Sequence, residues 1–253
     1  MISYTKQGKG KPVIFLHGFC EAKEMWSNFA TQLAGLHTVY CLDLPGFGKD
    51  EYDEPLPRSL EELAVLLQEW LDAMEINQPV LIGHSLGGYV ALAMTELMGS
   101  DLAGVGLFHS TAFSDDEEKR HTRNKTIDFI NKHGVDKFIE SFVPPLFPEA
   151  SRSRLEMEIA ELIDFGKMND SKTVITYIEM MRDRKDRFEV WHSFDRPKLM
   201  IAGVLDAAVK IEGSRAHKSG ASLYYELEGV GHMGMYEDPN NSLAIVREFL
   251  TSL

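Results

Sequence analysis

Cysteine is nearly absent: Cys20 and Cys41 are the whole complement of a 253-residue chain. Two thiols without Cys-x-x-Cys spacing exclude a disulfide framework and offer neither a zinc site nor a dithiol redox pair. Cys41 falls in an apolar, strand-like run and reads as a small core residue. Cys20 follows a candidate site loop, where it is either packed or open to oxidation. Positive charge is also short, with 26 Lys and Arg against 39 Asp and Glu and a formal net charge of −13. That balance argues against a nucleic-acid partner, whose phosphates call for clustered basic surface. Long apolar runs are missing too. No segment approaches the roughly 18 apolar residues of a membrane span, and the polar stretch from Met1 to Gly10 lacks the apolar centre of a signal peptide. The expectation is a cytoplasmic chain with no membrane partner. Internal repeats and low-complexity tracts do not occur, and nothing in the sequence fixes the oligomeric state.

What the chain does have is alternation. Short apolar runs at 13–16, 38–42, 80–82, 105–108, 199–202 and 223–227 read as strands, separated by amphipathic segments, which predicts a mostly parallel sheet covered on both faces. Ser59 and Glu62 form a capping-box pattern ahead of Leu60, Leu63, Leu67, Trp70, Leu71 and Met74, an apolar stripe at helical spacing. Asp238 and Pro239 open the last helix as N-cap and first-turn proline. Between about 112 and 195 the rhythm changes to helix-only, charge-dense sequence, punctuated by Pro144, Pro145 and Pro148. The fold class expected is α/β, a mostly parallel central sheet flanked by helices. Its core comprises 1–111 and 196–253, and 112–195 is an inserted helical cap.

The segment Gly83-His84-Ser85-Leu86-Gly87-Gly88 follows an apolar strand and precedes a helix with Leu86, Val90, Ala93 and Leu97 on one face. A serine on such a turn stands exposed at the carboxyl edge of the sheet, and the following helix aims N–H groups and its positive dipole end at it. Serine needs a base, and the base needs an orienting acid. His232, in the glycine-rich loop Gly229-Val230-Gly231-His232-Met233-Gly234 after the last strand, is the candidate base. His84 sits beside the nucleophile and is expected to point away, while His37, His121, His133 and His217 lie in helices or loops. Asp206, after the run Ile201-Ala202-Gly203, is the candidate acid, with Asp195 and Asp115 as fallbacks. The backbone N–H groups of Phe19 and Leu86 are the candidate oxyanion donors. His17 is expected to brace that loop by hydrogen bonding.

His17-Gly18-Phe19, Asp43-Leu44-Pro45-Gly46-Phe47-Gly48, Gly83 to Gly88, Gly203-Val204-Leu205-Asp206 and Gly231-His232, in that order, resemble the α/β-hydrolase superfamily in its cap-bearing, single-domain branch. The resemblance covers nearly the whole chain and implies hydrolysis through an acyl-enzyme on Ser85, with no metal or organic cofactor. Ala207-Ala208-Val209-Lys210 departs from the family in lacking the proline and second acidic residue often found beside its acid. The single glycine of the oxyanion loop differs from the Gly-Gly-Gly-x loops of relatives that accept tertiary-alcohol esters. Serine at the elbow separates the chain from dehalogenase and epoxide hydrolase relatives, which carry aspartate there. The expected activity is cleavage of a carboxylic ester of a small or medium acyl substrate. Thioesters, lactones and carbon–carbon bonds beside a ketone are alternatives for the same triad, and a ligand-binding receptor on this fold is the rival of another class. Phe138, Phe142, Phe147 and Tyr177 of the cap, with Met233, are the candidate substrate contacts.

Overall fold

The computed structural model describes residues 2–48 and 55–253. Its strands are Tyr4–Gly8 (β1), Lys11–Leu16 (β2), His37–Leu42 (β3), Val80–His84 (β4), Gly104–Phe108 (β5), Lys198–Gly203 (β6) and Leu223–Leu227 (β7). They pair in the order β1-β3-β2-β4-β5-β6-β7, parallel throughout except where β1 runs antiparallel to β3. Every residue of β4, β5 and β6 is buried, as continuous apolar runs in a two-sided parallel sheet require. The polar strand β1, Tyr-Thr-Lys-Gln-Gly, has no apolar run and escapes a reading by hydrophobic pattern. It is an edge strand held by pairing with β3.

Register brings Leu16, Leu42 and Gly83 level, then Phe108 with Ile201, and Gly203 with Leu227. The segments that follow therefore emerge at one carboxyl edge, where ligands bind in open parallel sheets.

The helices of the core are Ser27–Leu33 (α1), Leu60–Ala73 (α2) and Leu86–Met98 (α3). Between β5 and β6 come Glu117–His133 (α4), Val135–Phe142 (α5), Glu149–Arg152 (α6), Glu156–Lys167 (α7), Ser171–Asp183 (α8) and Phe188–Ser193 (α9). Ile211–Ala216 (α10), Gly234–Glu237 (α11) and Pro239–Thr251 (α12) complete the chain. The Ser59 hydroxyl accepts the Glu62 N–H at 3.1 Å, but the Glu62 carboxylate reaches one residue further back than the box predicts, to the Arg58 N–H at 2.8 Å. Asp238 caps α12, with Pro239 in its first turn. The proline-rich stretch ends α5 and forms a single 3-10 turn, Pro144–Leu146, before α6. No helix of the described residues is long and apolar enough to cross a membrane.

The 109–197 segment is held to α2, α3 and the loop after β3 by polar as well as apolar contacts. The Arg184 guanidinium lies 4.1 Å over the Tyr89 ring and donates to Asp115 at 2.7 Å, while Arg187 donates to Glu61 and Glu96 at 2.7 and 2.9 Å. The Tyr177 ring packs on Phe47, and its hydroxyl donates to the Pro45 carbonyl at 3.0 Å.

Candidate active site

Ser85 joins the end of β4 to the start of α3 with φ 48° and ψ −112°, a conformation that costs a residue with a Cβ appreciable strain. The turn is held from both sides. The Ser85 N–H donates to the Phe108 carbonyl at 3.0 Å, and the Ser85 carbonyl accepts the Ser110 hydroxyl at 2.7 Å. Strand and helix approach so closely that a Cβ on Gly83 would lie 2.1 Å from the Gly87 carbonyl oxygen, and one on Gly87 would lie 2.4 Å from that of Leu16. Leu86 is the first residue of α3, so its N–H is one that helix geometry leaves without an intrahelical acceptor.

His232 and Asp206 meet at 2.8 Å, Nδ1 to Oδ2, both buried. The other carboxylate oxygen accepts the N–H groups of Ala208 and Val209, each at 2.8 Å, so the turn that departs from the family pattern closes on the acid itself. Burial alone would raise the Asp206 carboxyl. The His232 charge and contacts with both neighbouring imidazoles instead hold it far below the ordinary carboxylate range. Burial would likewise depress His232, but Asp206, and after it Glu21 and Glu237, leave the imidazole above its ordinary value.

A second imidazole faces the same carboxylate. His109, at φ 48° after β5, has Nδ1 3.5 Å from Asp206 Oδ2, yet that nitrogen accepts the Gly203 N–H at 3.1 Å. The neutral ring therefore carries its proton on Nε2, which has no hydrogen-bond partner among the described residues. Burial pushes His109 down to about 4, against the pull of Asp206. The histidine loop is clamped by Glu237, whose carboxylate accepts the Gly231 and Met233 N–H groups at 3.0 Å. The His232 N–H itself donates to the Leu146 carbonyl at 2.9 Å.

Phe19 follows β2 in a loop braced by His17, whose Nδ1–H donates to the Gly18 carbonyl at 2.7 Å while Nε2 accepts the Leu44 N–H at 2.9 Å. Glu21 accepts the Gly18 N–H at 2.6 Å and faces His84. The expectation that His84 merely points away is incomplete, because its ring is wholly buried and bonds the His232 carbonyl at 2.9 Å. Asp195, a fallback acid, is exposed beside Arg196, and Asp115 is engaged by Arg123 and Arg184. Burial pushes the Cys20 thiol well up, the state of a packed rather than a reactive sulfur.

The expected substrate contacts divide. Phe138 and Phe142 stack on each other 5.1 Å apart and both meet the Phe19 ring, at 6.2 and 5.7 Å. Phe147, Tyr177 and Met233 are 0% exposed, their surfaces taken up by packing. No group of three or more His, Cys, Asp or Glu among the described residues is placed to hold a metal ion.

The model of the alpha/beta hydrolase family matches residues 13–244. The Caenorhabditis elegans protein abhydrolase domain-containing protein abhd-5.2 is 32% identical over 83 residues, which is 32% of this chain and only 19% of that protein. A Bacillus subtilis (strain 168) protein, named as a candidate 2-succinyl-6-hydroxy-2,4-cyclohexadiene-1-carboxylate synthase, is 26% identical over 257 residues, covering 95% of this chain and 90% of that one. Among solved structures, a thermophilic esterase from Thermogutta terrifontis superposes with a TM-score of 0.92 at 24% identity, over 99% of this chain and 93% of that one, a likeness of fold. Because the family match runs from β2 into α12, the chain belongs, over nearly all of its length, to the alpha/beta hydrolase family.

Proposed function

We propose that the protein is a serine hydrolase that cleaves a carboxylic ester of a small or medium acyl substrate through an acyl-enzyme on Ser85. The observation that carries this reading is the buried 2.8 Å contact of His232 with Asp206, beside a serine held at φ 48° on the strand-to-helix turn. Ser85 Oγ attacks the acyl carbon as its proton passes to His232 Nε2. Asp206 keeps the other ring proton on Nδ1 and stabilises the imidazolium, and the Phe19 and Leu86 N–H groups receive the oxyanion. Collapse expels the alcohol, which takes the proton from His232. Water then gives a proton to His232 and attacks the acyl-enzyme, and collapse releases the acid as His232 returns that proton to Ser85 Oγ.

Residues 112–195 act in this scheme as a cap that selects substrate, through Phe138 and Phe142 against Phe19. Likeness to an esterase fold supports ester cleavage. Likeness to the Bacillus protein, named as a synthase of a carbocyclic carboxylate and not as an esterase, favours as a second reading a carbon–carbon bond substrate for the same residues, with lactones and thioesters as further alternatives. The deciding experiment exposes wild type and Ser85→Ala to a fluorophosphonate probe and to a panel of acyl esters, thioesters, lactones and diketone-type compounds. Label on Ser85 alone, and an ester as the fastest substrate with turnover lost by several orders of magnitude in Ser85→Ala, is expected. Full activity in Ser85→Ala ends the reading, and a long-lived adduct without turnover favours a receptor.

A further inference from the structure

One buried pair ties together three segments that the sequence keeps far apart. Glu21 Oε2 lies 2.6 Å from the Gly18 nitrogen and 3.0 Å from His84 Nδ1, and His84 Nε2 lies 2.9 Å from the His232 carbonyl oxygen. The His84 ring is 0% exposed and the Glu21 side chain 6% exposed. A carbonyl oxygen only accepts, so Nε2 carries a proton. Nδ1 faces Glu21 Oε2, the same oxygen that accepts the Gly18 N–H, so one proton lies between the carboxyl group and the ring and holds them together.

We propose that Glu21 and His84 are positioning residues, a buried carboxyl–imidazole strut that fixes the Phe19 loop and the His232 loop relative to Ser85. The inference rests on the serine-hydrolase reading for its kinetic consequence, but not for its geometry. Glu21 sets the Phe19 amide by anchoring Gly18 beside it, and His84, next in chain to Ser85, sets the His232 loop from its carbonyl. Neither touches substrate. Burial by itself would raise the Glu21 carboxyl, and His84, His17 and the Gly18 N–H outweigh it, leaving the group below its ordinary value. Further titratable groups around the strut are His109 and His232, whose rings lie 6.3 and 4.8 Å from that of His84. The strut also accounts for a glutamate and a histidine that the catalytic steps leave unused.

Two measurements test it. Nitrogen-15 NMR of the wild-type protein without substrate should show His84 Nε2 carrying a proton, and Glu21→Gln should shift the Nδ1 resonance as its partner changes. In Glu21→Ala, kcat per site titrated by fluorophosphonate should fall on the order of 10–100-fold with KM little changed, because a displaced oxyanion donor weakens the transition state and not the ground-state complex. A boronic acid inhibitor should lose affinity by the same factor. Glu21→Gln, which keeps an acceptor for the Gly18 N–H, should recover part of kcat. A packing role alone would lower the titratable fraction and leave kcat per site unchanged, and that result overturns the proposal. So does a His84 Nε2 without a proton in the wild type, a measurement that decides the matter whether or not Glu21→Ala folds. Failure of the serine-hydrolase reading is separate, since it appears as absence of label on Ser85 in the wild type.

Discussion

At the scale of single residues, chemistry is set by which polar atoms are left with one partner. Asp206 divides its oxygens, one to the backbone turn at 208 and 209 and one to His232, so its shape is held independently of its charge. Asp206→Asn should therefore fold with little loss of stability and lower turnover on the order of a thousandfold or more, because the amide no longer fixes the ring proton on Nδ1. Urea midpoints and kcat, measured on the same preparation, check both halves. Asp206 is readable as a candidate because it lies in the turn after an apolar strand, and His232 because it sits in the glycine-rich loop after the last strand. Glu21, His84 and His109 are not. Their roles arise from contacts between loops 63 to 148 residues apart, and an isolated acid or histidine carries no periodicity to mark it. Among the expected substrate contacts, Phe138 and Tyr177 lie on helices and Phe147 in the turn before α6, and neither helical spacing nor aromatic character says which side chain meets a pocket and which the core.

Elements were easier to read, since burial on both sides of a parallel sheet writes itself as an uninterrupted apolar run. All six runs became strands, their ends extended by one or two residues at most. β1 was missed because pairing along an edge needs backbone alone. The elbow between β4 and α3 is where element geometry is tightest. The atoms that a Gly83 Cβ would meet at 2.1–2.4 Å, the Gly87 carbonyl and the Gly88 nitrogen, all belong to backbone, so none can swing aside. Gly83→Ala should cost roughly 3 kcal/mol or more in denaturant unfolding. Gly213→Ala, in open space on α10, should be neutral or stabilising by up to about 1 kcal/mol. Equal midpoints for the two variants would show that the elbow relaxes more readily than its backbone contacts imply.

For the molecule as a whole, acid sensitivity should begin above the carboxylate range. His17, His109 and His217 are buried and lowered, His109 to about 4, so the folded state favours their neutral forms. As pH falls below about 6.5 the unfolded chain takes up protons that the folded chain refuses, and stability drops by up to about 1.4 kcal/mol per pH unit for each such histidine. The raised His232 acts in the opposite sense: its stabilisation is full below its unfolded value and is lost as pH rises through its folded one. Unfolding midpoints should decline from about pH 7 to 5, before most carboxylates titrate, and decline less in His109→Asn. The cap supplies the other whole-molecule expectation. Phe138→Ala and Phe142→Ala should shift preference among acyl chain lengths more than turnover of the smallest ester, a methylene in an apolar pocket being worth about 1–3 kcal/mol. Chain-length profiles that superimpose on the wild type would move specificity to the loops around Phe19 and Met233.

The bond from the His232 N–H to the Leu146 carbonyl joins the inserted segment to the backbone of the candidate base. An amide hydrogen held this way exchanges with solvent deuterium only when its acceptor withdraws. The His232 amide is thus a built-in gauge: its protection factor reads the free energy needed to lift the 144–146 turn from the histidine loop, in the resting protein and without any substrate.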